Sequence, residues 1–527
     1  METFDYIVCG AGSAGATLAA RLAESGRHRV LLLEAGGRDW SPTIQIPGLL
    51  GSLLMGTRRN WHYMGEPDPT LGGRRLDWMA GRVTGGSSSI NGMVYGRGLP
   101  ADYERWVEAG NPGWGWDDMQ PWFRRMESWT GQPHPLRGDD GPVSTRPFEE
   151  RHPACTAAME ALVAHGVPAV ADYGVGIDEG VGPTQATQRG GWRHSTARAY
   201  LAPALRKGGV TLRTGAQVSR LIVAQGRCTG VEYRHRGRLV QVGAGLEVIV
   251  SLGAIGSPAL LLRSGIGPAR DLEAVGVDVV HDLPGVGANL NEHVNVKVSA
   301  DLAVATYNTE RMGLGKLRNG LRWLVDRSGP AASPANHYQA FVKTRPGLAS
   351  ADVQIQIMAF AFHDDPADNH DGVTAVVSLC APNARGKVSL ANADPFARPK
   401  IAIPLLSDPE DLAALIRGCR LARRILEDGP AATFAGRIAY PSPQTESDED
   451  WTAFIRRTAG LNWHPTSTCR MGPGPDDVVD SQVRVHGIDG LRICDASIFP
   501  NVTSGNTNAP VIAVAEKAAA LILERAA

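Results

Sequence analysis

The first thirty-six residues constrain the fold more than any other stretch of the chain. Phe4-Asp5-Tyr6-Ile7-Val8-Cys9 is a short apolar run suited to a buried parallel strand, and it leads directly into Gly10-Ala11-Gly12-Ser13-Ala14-Gly15. In that setting the three glycines have separate tasks: a tight turn, close approach of a pyrophosphate to the backbone, and close packing of the next helix on the strand. A helix is expected from Ser13 to Ser25, its unpaired N–H groups and positive dipole end aimed at phosphates, with Gly26 as the stop. A second strand, Val30-Leu31-Leu32-Leu33, ends at Glu34, about twenty residues past the glycines, where a carboxylate accepts both ribose hydroxyls of an adenosine. Strand, turn, helix, strand and acid together predict a dinucleotide site. Glu34 argues against NADP, whose extra phosphate it would repel; between NAD and FAD the motif does not choose.

At 527 residues the chain exceeds what one core supports, so two or more domains are expected. Lys+Arg (53) balances Asp+Glu (54), which leaves no global electrostatic footprint for nucleic acid or an anionic membrane. The pairs Arg58-Arg59 and Arg74-Arg75 read as solvated faces. No apolar stretch reaches the length of a spanning helix, and a strand starting at Phe4 leaves no room ahead of it for a signal peptide, so a cytoplasmic location is expected. Seven scattered cysteines without CxxC or His/Cys ligand spacing predict neither a disulfide framework nor a metal site. Cys9 and Cys494 sit in apolar runs and are expected to be buried.

After Glu34 and Ala35, a loop rich in Pro, Gly and Arg runs to about Arg75, long enough to predict a cofactor-covering excursion. Gly81 to Gly92 strings together glycines and small hydroxyls, a composition that suits an anion nest or the approach of a flat ring, and equally a surface loop. Strands are expected over Leu212 to Val223, Thr229 to Tyr233 and Glu247 to Ser251, the last meeting Gly253-Ala254-Ile255-Gly256-Ser257-Pro258. A helix is expected from Pro258 to Ser264, stopped by Gly265-Ile266-Gly267. From about Asn295 to Trp451 the character changes. Val353 to Ile357 alternates as a half-buried antiparallel strand, Thr374 to Leu379 and Lys387 to Leu390 add strands, and Asp408 to Leu426 reads as an amphipathic helix. The end returns to the opening pattern, with a strand from Leu491 into Asp495 and Ala496 and a closing helix from Pro510 to Arg525.

Two late stretches concentrate polar chemistry: Asn462-Trp463-His464-Pro465-Thr466 and Ser504-Gly505-Asn506-Thr507-Asn508. On local context alone, a histidine such as His464 is more often structural than catalytic, and Asn506 reads as well as a cap or turn residue. Taken with the earlier motifs, however, the chain resembles the glucose-methanol-choline (GMC) family of FAD-dependent alcohol dehydrogenases and oxidases over nearly its whole length. Gly10-x-Gly12-x-x-Gly15 with Glu34 matches the family's FAD fingerprint, Gly81-Arg82-x-x-Gly85-Gly86-Ser87-Ser88-x-Ile90-Asn91 its first signature, and Gly253 to Pro258 through Gly267 its second. Leu283-Pro284-Gly285-Val286-Gly287-x-Asn289-Leu290-x-Glu292-His293 also fits, with Glu292 where Asp is usual and Thr84 where an aliphatic residue is usual.

The resemblance implies an α/β fold: a Rossmann-like FAD-binding domain, discontinuous in sequence (1–150, 205–294 and 455–527), and a second α+β substrate domain on an antiparallel sheet (151–204 and 295–454). It implies FAD contacts from Gly10, Gly12, Ser13, Ala14, Gly15, Glu34, Ala35, Arg82, Gly86, Ser87, Asn91, Gly92, Val94, Val218, Ala254, Trp463, Asp495, Ala496, Asn506 and Thr507. Ile90 stands where some members carry a histidine bonded to the flavin, so non-covalent FAD is expected. His464 and Asn506 match the family's reactive pair. They imply oxidation of a primary alcohol to an aldehyde, with His464 as base and hydride transfer to flavin N5, the electrons passing on to O2 or a quinone, with quinone-linked dehydrogenation favoured. Hydroxynitrile lyase and fatty acid photodecarboxylase activities are the alternatives on the same scaffold. Asn336, His337, Phe360 and Phe362 are expected either at a substrate pocket or in core and surface positions.

Overall fold

The computed structural model describes residues 1–51, 58–363, 368–428, 432, 434 and 436–526. β1 (Glu2–Cys9), α1 (Ser13–Ala23) and β2 (Val30–Glu34) form as the opening pattern dictates, β1 and β2 pairing parallel from Tyr6 opposite Val30 to Cys9 opposite Leu33. β3 (Val210–Thr214) lies parallel on the far side of β2, and β4 (Ala216–Ala224), β5 (Arg227–His235) and β6 (Arg238–Val250) add an antiparallel meander. The order is β3-β2-β1-β6-β5-β4, with the short strand Leu491–Ile493 parallel to β6. The expected strand region from Leu212 to Val223 is therefore divided between two strands. Gly215, at φ +65°, turns the chain between them, a backbone region that favours glycine.

α2 runs Gly253–Arg263 and starts five residues before the expected Pro258. Proline inside a helix leaves the carbonyl four residues back without its donor. Here that carbonyl, Ala254 O, accepts from Thr468 Oγ1 at 2.6 Å, so the helix tolerates Pro258.

A second sheet, wholly antiparallel, is built from β7 (Val294–Asp301), β8 (Asn336–Val342), β9 (Val353–Met358) and β10 (Gly372–Leu379) in the order β7-β10-β9-β8. Gly180–Pro183 extends it beyond β8, while Arg437–Tyr440 and Gly460–Leu461 share the outer edge of β7. β9 is buried on both faces rather than half-buried: Ile355 and Ile357 enter the core, and Gln354 and Gln356 are covered as well. Lys387–Ser389 does not join this sheet and pairs only with Lys400–Ala402. α3 (Pro409–Glu427) lays Leu415, Cys419, Ala422 and Ile425 on the apolar face, and Asp408 caps it by accepting from Glu410 N and Asp411 N. The closing helix α4 (Asn508–Ala526) begins before Pro510 and is tied to α1 by the Arg21–Glu516 ion pair at 2.8 Å.

Of the excursion after Glu34, residues 52–57 lie outside the described residues; the rest includes the hairpin of Tyr63–Met64 with Asp77–Trp78. Arg74 is not simply solvated, since its guanidinium donates to Arg456 O and Ala459 O. All seven cysteines are free and buried. Among the described residues, no helix is long and apolar enough to cross a membrane.

Candidate active site

The nucleotide end is assembled where β1 meets α1. Gly10 turns at φ +100°, and Gly86 comes so close that a Cβ on it would lie 2.6 Å from Gly12 Cα. Glu34 is buried at the end of β2, where Oε2 accepts from Ala11 N (3.0 Å) and Oε1 from Gly36 N (2.8 Å); burial nevertheless pushes its carboxyl up to about 7. The first turn of α1 has no acidic residue and no side-chain cap, and a Cβ on Gly12 would meet nothing nearer than 4.0 Å. An open glycine at an uncapped helix start fits the pyrophosphate of FAD.

The other cofactor candidates divide into those gathered here and those engaged elsewhere. Ala14 is buried within α1, and Gly15 packs on Gly10. Ser13 Oγ donates to Asn508 Oδ1 at 2.7 Å, which joins α1 to α4, and Thr507 O accepts from Val511 N. Ala35 precedes Gly36, whose close approach to Arg82 O links β2 to the first signature loop. In that loop Arg82 stacks over Trp61, Ser87 Oγ accepts from Gly81 N, and Asn91 Oδ1 accepts from Met93 N, one residue past Gly92. Val94 bridges to Ala186, and Val218 is buried on β4 opposite Tyr233. Thr84 binds Asp39 through both its hydroxyl roles, a polar task an aliphatic residue could not perform. Ile90 packs with Ile44 and Val83.

Asp495 accepts from Gly253 N and Ser257 Oγ and so anchors the start of α2; Ala496 O accepts from Ser467 N. Trp463, at φ +58° and 39 % exposed, donates to Asp77 O.

The reactive end is held by two antiparallel segments, with Asn291 opposite Thr466. His464 Nε2 lies 3.3 Å from Asn506 Nδ2, and His464 Nδ1 lies 2.9 Å from His293 Nδ1. The hydrogen-bond network assigns the protons. His293 Nε2 faces Cys380 O at 3.2 Å, and a carbonyl only accepts, so His293 carries its proton on Nε2. His293 Nδ1 is then an acceptor, His464 donates through Nδ1, and His464 Nε2 is left bare toward the Asn506 amide. Burial, and secondarily His293, holds the His464 pKa well below the ordinary histidine value; burial lowers His293 to about 4. Both rings are neutral at pH 7.

Glu292 Oε1 accepts from His293 N (2.9 Å) and His464 N (2.8 Å), fixing the two histidine backbones to one carboxyl group, and burial pushes that group up to about 8. The ligand atoms of Glu292, His293 and His464 lie within 4.8 Å of one another, a spacing a metal could use, yet the two Nδ1 atoms are already engaged with each other. Asp102 accepts from Ser504 N and Ser504 Oγ and thereby positions the loop that carries Asn506. Asn506 does not cap α4, and its Oδ1 has no partner. Sequence reasoning did not single out His293, Glu292, Cys380 or Asp102 for this site. The acid-histidine pair after Asn291 was the one available signal, while Cys380 and Asp102 reach the site only through the fold. His337, by contrast, binds Tyr307 OH and accepts from His152 N, and is a structural histidine.

Comparison with known proteins gives the family. The GMC oxidoreductase family profiles match residues 4–295 and 382–515. The oxygen-dependent choline dehydrogenase of Rhizobium johnstonii is 40% identical over 526 residues, covering 98% of this chain and 95% of the relative. That of Photobacterium profundum is 39% identical, covering 99% and 93%. Among solved structures, a pyridoxine 4-oxidase named as from Mesorbium loti superposes with a TM-score of 0.89 at 30% identity, covering 98% of both chains. Formate oxidase superposes at 0.93 with 26% identity, covering 99% of this chain and 98% of its own.

Proposed function

The chain belongs to the GMC oxidoreductase family and is an FAD-binding enzyme that oxidises CH–OH groups, and on that premise we propose that it oxidises a primary alcohol to an aldehyde with His464 as the base and Asn506 as its partner. The observation that carries this reading is the bare Nε2 of His464 facing the Asn506 amide, its other nitrogen engaged by His293.

Alcohol oxidation removes a hydroxyl proton and a hydride from one carbon. FAD, when bound, supplies the two-electron acceptor for that hydride. His464 Nε2 takes the proton, a task for which neutral imidazole is suited. Asn506 cannot titrate; its amide orients the hydroxyl and stabilises negative charge developing on oxygen. His293 holds the tautomer, and Glu292 and Asp102 hold the two loops in register. Glu34, Gly12 and the start of α1 would bind the adenosine and pyrophosphate. The two-domain division at 1–150, 205–294 and 455–527 against 151–204 and 295–454 belongs to this proposal, with Gly460–Leu461 reaching across to β7. So does a cytoplasmic location, which cell fractionation tests.

The test is anaerobic mixing of the purified protein with short aliphatic, benzylic and furanic alcohols while the flavin absorbance is followed. Bleaching by an alcohol supports the proposal. Flavin that stays oxidised with every alcohol overturns it, and cyanide release from a cyanohydrin or light-driven loss of carbon dioxide would then be assayed. Rapid return of colour on admitting air identifies O2 as acceptor, and slow return points to a quinone or another acceptor.

A further inference from the structure

The helix Gly313–Asp326 carries its apolar face outward. Its buried side chains are Asn319 and Trp323, whereas Leu314, Leu317, Leu321, Leu324 and Val325 are 53–86% exposed. At 3.6 residues per turn those five project within a sector of about 100°, centred opposite Asn319 and Trp323. A surface helix normally turns such a stripe toward the core. Here the other side is the one pinned down. Trp323 Nε1 donates to Gly191 O at 3.0 Å, its ring meets Trp192 edge-on at 4.5 Å between centroids, and Asn319 Nδ2 donates to Glu310 O at 3.0 Å. Single exposed apolar residues are ordinary, but five large aliphatic side chains in one stripe mark a contact surface.

Charge decides what that contact is with. From Arg311 to Arg327 the chain carries five basic residues, Arg311, Lys316, Arg318, Arg322 and Arg327, against one acid, Asp326. Helical spacing puts Lys316 on one flank of the stripe and Arg318 and Arg322 on the other, and all three are exposed. Glu310 pairs with Arg318 at 2.9 Å and Glu150 with Arg322 at 3.0 Å; with both counted, five bases against three acids leave the patch positive. Ion pairs this exposed are weak and yield to a competing phosphate. An aliphatic stripe edged by cations matches a bilayer, which offers acyl chains beneath anionic headgroups. It does not match a second copy of the chain, because a two-fold contact through the stripe would bring the cationic flanks together. Fourteen residues rise only about 21 Å, short of the hydrocarbon core of about 30 Å, so the helix suits the membrane surface and not a span. The near-zero net charge of the whole chain hides this feature, which is local.

We propose that Gly313–Asp326 docks the protein on an anionic membrane surface, its aliphatic stripe entering the headgroup boundary while Lys316, Arg318 and Arg322 meet lipid phosphates. This docking does not depend on which substrate is oxidised. The cytoplasmic location proposed above then means the cytoplasmic face of a membrane, where anionic lipids are found.

The experiment floats the FAD-loaded full chain with vesicles of phosphatidylcholine, with and without phosphatidylglycerol, and reads the bound fraction against lipid concentration. The native chain is expected to float with the anionic vesicles, to stay behind with the neutral ones, and to be released in part by raised salt. Leu317→Glu combined with Leu321→Glu is expected to lower affinity for anionic vesicles roughly tenfold or more, and Lys316→Gln about fivefold. These positions are exposed, so native flavin absorbance and gel-filtration volume are expected in both variants. A native chain that binds neither vesicle, or both equally, overturns the proposal, as does a double variant that binds like the native chain. A native dimer that the double variant converts to a monomer would assign the stripe to a subunit contact and also overturn it. Should the double variant lose its flavin, Lys316→Gln and the salt series decide, and affinity unchanged in both overturns the proposal.

Discussion

His293 Nδ1 and His464 Nδ1 face each other at 2.9 Å, and this one contact determines which nitrogen of His464 can act as a base. His293 is itself oriented by Cys380 O. In the proposed reaction it acts only through His464, as a positioning residue. His293→Ala is expected to lower the rate of flavin reduction by about 10–100-fold, by analogy with the outer hydrogen-bond partners of metal-ligating histidines, with bound FAD unchanged. His293→Asn, which supplies an amide oxygen as acceptor, is expected to recover part of the loss. Equal rates in the native and Ala proteins would contradict the relay.

Replacing His464 removes the proposed base. His464→Ala is expected to slow reduction by about 10²–10⁴-fold while the ratio of flavin to protein absorbance stays native. Asn506→Ala should lower the rate without displacing the main pH dependence, because an amide does not titrate. Loss of FAD in step with activity would assign either residue a structural role.

The pH profile follows from the two shifts. His464 has its pKa held well below the ordinary histidine value, so the neutral, proton-accepting form persists as pH falls, and the acid limb of kcat/KM is expected below pH 6.5. Glu292 has its carboxyl pushed up to about 8, so it is mainly neutral at pH 7 and gains charge as pH rises through that value. Its charge favours a proton on the neighbouring His464, giving an inflection near pH 8 of up to about tenfold, one pKa unit of coupling. Glu292→Gln keeps the backbone acceptor and is expected to abolish that inflection. Its persistence in the variant would assign it to another group.

Glu34 marks the far end of the same molecule. Glu34→Ala leaves Ala11 N and Gly36 N without their acceptor and removes the predicted ribose partner, a loss of about 1–3 kcal/mol per buried unsatisfied group. FAD affinity, measured by flavin fluorescence on dilution, is expected to fall at least tenfold. Acid precipitation of the native protein should release all flavin to the supernatant, since Ile90 cannot form a covalent link.

Much of this protein is written locally. A buried strand, a glycine turn, a helix and an acid within thirty-six residues dictate the nucleotide end, because short-range sterics and the helix dipole act over one or two turns. β1, α1, β2 and the cap of α3 at Asp408 accordingly form where residue order places them. His464 and Asn506 were legible through motifs, as were the antiparallel strands through their period. What local pattern could not decide is what lies across the fold. Pro258 sits inside α2 because Thr468, far along the chain, supplies its missing donor. Gln354 and Gln356 look solvent-facing by alternation and are buried, because the second face of their sheet covers the reactive loops rather than water. The proton arrangement of His464 depends on His293 and Cys380, 171 and 84 residues away by number, and only the tertiary structure brings those three together. Hydrogen bonds are specified by distance in space, and sequence records distance along the chain.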